Sequence, residues 1–218
     1  MELTASEKKV LKGISFNTEE IESGNLRETD MAFLKEMRAV ENYLVEKYPS
    51  FSFEITGCEP KSGTTRTYSE WYYKSAEVER ESAFIAMSAD VGGSFDIKDA
   101  FFGQLIRDSI RNRLEQLLAN EKLPVIRIDV SFWEYLGNEY GEDISFEMVL
   151  TGEIDAGNDF KIFLDGSKLE DNDYLAIMEK IKNCLQANNV SGEVYLIILS
   201  SAEGDIARDR VFSDSILL

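Results

Sequence analysis

Apolar positions change their period several times along this 218-residue chain. Phe33, Met37, Val40 and Leu44 recur at steps of four, three and four, which is one helical face. Thr29 precedes them as an N-cap, with Asp30 just inside. The helix stops before Pro49, because proline drives the preceding residue out of the helical region. Phe51, Phe53 and Ile55 then alternate with polar residues, as in a strand with one buried face. Residues 68–74 and 82–89 read as two further strands, and DVGGS at 90–94 reads as a loop. Asp96 is the expected cap of a second helix, in which Phe102, Ile106, Ile110, Leu114 and Leu118 form a stripe at every fourth position. After Pro124, Ile126, Ile128, Val130 and Phe132 alternate as the core face of a strand. Strands are expected near 144–154 and 160–164. A third helix opens near Asp173, with Tyr174, Ile177, Ile181 and Leu185 on one face, and 194–199 fits a buried strand. Residues 10–16 are compatible with a short strand and 18–25 with a polar connection, while 206–218 has no clear period.

The pattern nearly repeats at a spacing of 75 residues. EKYPSFSFEITGCE (46–59) aligns with EKLPVIRIDVSFWE (121–134), and Glu46/Glu121, Lys47/Lys122, Pro49/Pro124 and Glu59/Glu134 are identical. An internal repeat constrains architecture before any single element does. It predicts an α+β protein, internally duplicated as αβββ-αβββ-αβ, with antiparallel sheets and helices on one face of each. The expected units are 1–93 and 94–218. No Gly/Ser-rich linker divides them, which predicts close packing.

Charge narrows the partners. Net charge is −18 and there is no histidine. Residues 134–173 hold twelve acids and two bases, a balance of −10. Nucleic acid and anionic membrane surfaces both require a basic footprint, so neither is an expected partner. The lack of histidine removes Ser-His, Cys-His and His-metal chemistry. Cys58 and Cys184 lie far apart in no metal-ligand spacing and read as small hydrophobes. Arg107, Arg111 and Arg113 form the main basic cluster and are expected to pair with nearby acids.

The motifs point to no cofactor and no metal. DVGGS fits neither dinucleotide- nor nucleotide-phosphate spacing, and Asp90 and Asp96 would repel phosphate. Asp155-Ala-Gly-Asn-Asp159 and Asp171-Asn-Asp173 lack the ladder and closing Glu of a calcium loop, and read as turns and a helix cap. The aromatics carry more information. Trp133 and Tyr135 fall on the polar face of their strand, beside Asp129 and Ser131, and Trp71 and Tyr73 share one phase of theirs. Large aromatics on a polar face anchor partners, or pack across strands.

EKYPSFSFEITGCEP (46–60), TYSEWYY (67–73) and FDIKDAFFGQLIRDSIRNRLEQLL (95–118) together resemble a group of uncharacterised small proteins and lipoproteins of Gram-positive bacteria. In these a helix ends in a Tyr-rich turn before an F-x-V/I strand, and a D-x-Y/F-F helix follows. The resemblance spans residues 30–135 and implies no catalytic residues. The resemblance to the lipoproteins would also imply a leader and a lipid-attachment cysteine, which this sequence does not display at its start. The charged start MELTASEKK predicts a cytoplasmic protein, or an extracytoplasmic one had a leader been removed.

The function expected is a non-catalytic acidic binding protein that docks a basic protein, an immunity- or antitoxin-type inhibitor being one version. Its expected contact residues are Trp133, Tyr135, Trp71, Tyr73, Glu139, Glu142, Asp143, Asp155 and Asp159. The alternatives are a small-molecule or peptide module with a cleft between the repeats, and a hydrolase built on carboxylates alone. The oligomeric state is not set by the sequence.

Overall fold

Thr4 and Glu7 start the first helix by capping each other. The Glu7 amide donates to Thr4 Oγ1 at 3.1 Å and the Thr4 amide to Glu7 Oε2 at 2.7 Å. The computed structural model describes residues 2–169 and 173–218. Within it the chain forms two compact units, Met1–Phe102 with Tyr135–Ile144, and Gly103–Glu134 with Ser145–Leu218. The capping box launches α1 (Ala5–Ile14), and α2 (Thr18–Ser23) comes next. Helix therefore replaces the strand expected at 10–16 and the connection expected at 18–25.

The third helix, α3 (Glu28–Lys47), ends before Pro49 as the sequence predicts. Met37, Val40 and Leu44 are buried, and Leu34 takes the inward place expected of the half-buried Phe33. The sheet beside it has strands β1 (Phe53–Glu59), β2 (Ser69–Ser75), β3 (Phe84–Val91) and β4 (Ser94–Asp99), antiparallel throughout and in sequence order. The strand β4 replaces the helix start expected at Asp96, and the DVGGS loop is the turn of a hairpin. Gly92 and Gly93 have φ of 64° and 94°, and the Gly93 amide donates to Asp90 Oδ1 at 3.1 Å. Two successive positive φ values suit the tight turn of a hairpin. Asp96 is a strand residue, and the first unit extends past 93.

At the end of β4 the unit buries a charge. Asp99 is 0% exposed. Its Oδ2 accepts from Lys47 Nζ at 2.7 Å and Tyr43 OH at 3.0 Å, and its Oδ1 from Tyr48 OH at 3.0 Å, Tyr73 OH at 3.3 Å and the Phe101 amide at 2.7 Å. Lys47 Nζ also donates to the Leu136 carbonyl at 2.9 Å and Tyr43 OH at 3.0 Å. Burial pushes the three phenols well above their usual range, and the Asp99 charge adds to the effect. Burial lowers the Lys47 ammonium, against the opposing pull of Asp99. Around this centre Tyr48, Phe51, Phe53 and Phe84 crowd the Phe101 ring at centroid distances of 4.9–5.1 Å.

The second unit takes α4 (Phe102–Asn120) from Gly103 onward, then β5 (Val125–Phe132), α5 (Phe146–Leu150), β6 (Asn158–Asp165), α6 (Tyr174–Ala187), β7 (Glu193–Leu199) and β8 (Arg210–Leu217). The stripe Ile106, Ile110, Leu114 and Leu118 is buried as predicted. Its sheet runs β5-β6-β7-β8. Parallel β6 and β7 are joined through α6, because a parallel pair needs a crossover. The remaining pairs are antiparallel, so this sheet is mixed.

The α+β class therefore holds, while the order αβββ-αβββ-αβ does not. Only helix, proline and strand recur (α3–β1 and α4–β5). Beyond them the first unit continues with strands, whereas the second places α5 where a strand was expected at 144–154. The Met148 amide donates to Ser145 Oγ at 3.3 Å to cap α5. A further correction concerns Ile126. A bulge between Val125 and Arg127 sets it against Phe163, Ile197 and Leu199, not among the Ile128 and Val130 core. Glu170 and Asp171 of the acidic run lie outside the described residues, and with them most of Asp171-Asn-Asp173. Asp173 itself caps α6, accepting from the Ala176 amide at 3.1 Å.

The outer strands of this sheet are treated differently. Arg107 Nε donates to the Val130 carbonyl at 3.0 Å and Arg111 Nε to the Ile128 carbonyl at 3.1 Å, so helix side chains occupy the β5 edge. Arg111 also pairs with Asp108 at 2.8 Å, as expected of that residue. On β8, the Ser215 amide donates to Asp214 Oδ1 at 2.8 Å.

Asp99→Asn leaves a buried ammonium without its counter-charge and should cost about 3–5 kcal/mol by denaturant unfolding. Pairing Lys47→Met with Asp99→Leu should cost less than the sum of the single changes. Acid sensitivity is expected at the β1–β2 end. Glu77 accepts from the Ser52 amide at 3.0 Å and Ser75 Oγ at 2.7 Å, and also from Ser52 Oγ. These bonds lower its carboxyl from 4.5 to about 2, the Ser52 hydroxyl contributing most. The folded value lies below the unfolded one, so this contribution is complete above pH 4.5 and fades as pH falls toward 2. Carboxyl-detected NMR should show the low midpoint, and Glu77→Gln should flatten the stability–pH curve over that interval.

Candidate functional site

The residues expected to form one contact surface are divided between the two units. Trp71, Tyr73, Tyr135, Glu139, Glu142 and Asp143 belong to the first, and Trp133, Asp155 and Asp159 to the second.

Trp71 and Tyr73 are core residues, each 0% exposed. Strand β2 buries its odd positions from Ser69 to Ser75, and Tyr72 between them takes the outer face. Trp71 Nε1 donates to Glu36 Oε1 at 3.1 Å, and Tyr73 serves Asp99. Neither is available to a partner. Tyr135 is half-buried, and burial raises its phenol, with the charge of Glu70 adding to the effect. Glu142 is a tether that accepts the Ser50 amide at 2.6 Å and Ser50 Oγ at 2.8 Å. Glu139 and Asp143 are exposed.

In the second unit Trp133 lies just beyond β5 and is 70% exposed. Its amide donates to the Gly157 carbonyl at 3.0 Å, and the Glu134 amide to the Ala156 carbonyl at 3.1 Å, which continues the β5–β6 ladder past its end. A cavity of about 240 Å³ opens beside the indole, lined by Ile154, Asp155, Gly157, Gly192, Glu193 and Leu217 among others. Leu217, on β8, is 80% exposed. The floor between is kept low by glycine. A Cβ on Gly157 would stand 3.0 Å from Trp133 Cβ, and one on Gly192 would stand 2.6 Å from the Asn158 carbonyl oxygen. Asn158 pins this floor, donating from Nδ2 to the Val149 carbonyl at 2.7 Å and the Ser191 carbonyl at 2.9 Å.

The lining is acidic: Asp155 and Glu193 are both exposed, and Glu134 and Glu153, next in sequence to lining residues, are exposed as well. Asp155 also shapes the turn, its Oδ1 accepting from the Gly157 amide at 3.2 Å. Asp159 is turned inward, 7% exposed, and accepts from Ser131 Oγ at 2.8 Å. The corner thus keeps Trp133 and Asp155 of the expected residues and adds Glu193, Leu217 and the two glycines. The sequence separates those by up to 84 positions from Trp133, and only strand pairing brings them together.

Among the carboxylates, Glu7 and Glu41 are pushed apart in the manner of an acid–base pair. Burial raises Glu41, with the Glu7 charge adding to it. Burial opposes ionisation of Glu7 too, but hydrogen bonds from Arg38 and Thr4 hold it below the usual range. Glu7 is committed to the α1 cap and to Arg38 at 2.6 Å, and neither carboxylate lines the cavities beside α3. Among the described residues no group of three or more His, Cys, Asp or Glu is placed to hold a metal ion. No helix among them is long and apolar enough to cross a membrane.

No protein-family model matches the chain, and no curated protein matches it. Among solved structures it is similar to a DUF5037 family protein from Ruminococcus gnavus ATCC 29149, at 13% identity and a TM-score of 0.38, over 74% of this chain and 73% of that one.

Proposed function

We propose that this chain is a non-catalytic binding protein that docks a basic segment of a partner protein at the Trp133 corner of the second unit. One observation carries the reading: Trp133 is 70% exposed beside a cavity whose charged lining residues, among those described, are Asp155 and Glu193. A tryptophan left in water next to acids suits an arginine or lysine, whose cation lies over the ring while its donors meet Asp155 and Glu193. The net charge of −18 speeds encounter with such a partner and makes it salt-sensitive. Cys58 and Cys184 are free thiols, and burial foremost raises both, which is consistent with the reducing interior of a cell.

A fluorescent Arg/Lys-rich decapeptide tests this by anisotropy at low and high salt. Trp133→Ala should weaken binding about tenfold, the scale of a hot-spot aromatic. Replacing Asp155 and Glu193 by Asn and Gln should remove most of the salt dependence at this site. Unchanged affinity in Trp133→Ala would mean that the peptide senses only net charge, and the reading would fall.

A further inference from the structure

A second cavity, in the first unit, has the chemistry of a small-ligand pocket. It measures about 310 Å³ and lies between the first half of α3 and the strands β2–β4. The helix presents Thr29, Ala32, Phe33 and Glu36 to it, positions that share one face. Lys61, Ser69, Asp90 and Phe95 complete the wall.

Glu36 is the unusual member. It is only 9% exposed, and among the described residues no cation pairs with it. Its hydrogen bond from Trp71 uses Oε1 alone. A largely buried carboxylate is costly without a charged or multiple-donor partner, and Glu36 lines the cavity with the Trp71 indole as its one hydrogen-bond donor among the described residues. The wall is otherwise balanced. Lys61 is exposed and makes no ion pair among the described residues, whereas the Lys35 ammonium is occupied with the Gly93 carbonyl at 3.2 Å and the Phe95 ring at 5.7 Å. Phe33 and Phe95 provide the apolar surface.

We infer that this pocket binds a zwitterionic α-amino acid with an apolar side chain. The ammonium meets Glu36 and the Ser69 hydroxyl, the carboxylate meets Lys61, and the side chain lies against Phe33 and Phe95. The volume is at the lower end of the roughly 300–1,000 Å³ typical of ligand pockets, which limits the ligand to about a dozen heavy atoms. The site is separate from the Trp133 corner, and neither proposal depends on the other.

Trp71 is the natural reporter, because its indole N–H rests on Glu36. In a Trp133→Phe background it is the sole tryptophan. L-leucine, isoamylamine and isocaproate would each be titrated into that protein, with calorimetry in parallel. L-leucine should give saturable binding and a shift in Trp71 emission. Each single-group analogue should bind at least about tenfold more weakly, since a charge-assisted contact is lost. Glu36→Gln should weaken leucine by a similar factor. Ala32 is exposed on α3, so Ala32→Trp fills the pocket while the helix keeps its core face, and read by calorimetry it should abolish binding with an unchanged melting curve. Equal affinity for isoamylamine and leucine would overturn the zwitterion assignment. Silence from all three ligands at millimolar concentration, or undiminished binding in Ala32→Trp, would overturn the site.

Discussion

One buried carboxylate organises the first unit. Asp99 has no contact with water, so its charge must be answered within the protein. The answering groups come from separate stretches of chain: Tyr43 and Lys47 from α3, Tyr48 from the turn after it, Tyr73 from the sheet and the Phe101 amide from the approach to α4. Helix, sheet and turn are therefore set in register by one side chain, where apolar packing alone would tolerate small slips. The chain's return at 135–144 depends on the same place. The Asp99 and Leu136 backbones exchange two hydrogen bonds, at 3.0 and 3.1 Å, and the Leu136 carbonyl accepts from Lys47 as well. With every Lys47 donor occupied, the amine is not a free nucleophile, despite the burial that lowers it.

The same constraint explains what could be read from the sequence and what could not. Repeated apolar spacing exposed α3, α4 and α6, and the two prolines marked where the first two of these stop. The strand β4 was illegible because its inward positions are Phe95, Ile97 and Asp99. An aspartate in a core slot breaks the alternation that signals a strand, and acids after glycines resemble a helix cap. Its counter-charge at Lys47 is 52 residues away, beyond any local pattern. The first helix is different: Thr4 and Glu7 form a capping box ahead of Val10 and Leu11, a local signal that the apolar run at 10–16 does not carry by itself.

For the candidate site the limit was the face, not the residue type. Trp133 is outward as its phase implies. Trp71 belongs to a strand with aromatics on both phases, at 71, 72 and 73, and only the position of α3 decides which phase is covered. The repeat had a similar limit. Helix, proline and strand share a signature in both units, but the course of the chain after that strand depends on the strand's partners. Those partners are β2 in one unit and β6, beyond α5, in the other.

The arginines along β5 have a consequence for assembly. A sheet that grows by adding strands needs two open sides, one to receive and one to offer. Arg107 and Arg111 close one side of the second sheet by occupying the Val130 and Ile128 carbonyls. Only β8 is left, itself partly blunted where Asp214 takes the Ser215 amide. Edge-to-edge addition through this sheet can therefore end in a closed pair but has no route to an open-ended fibre.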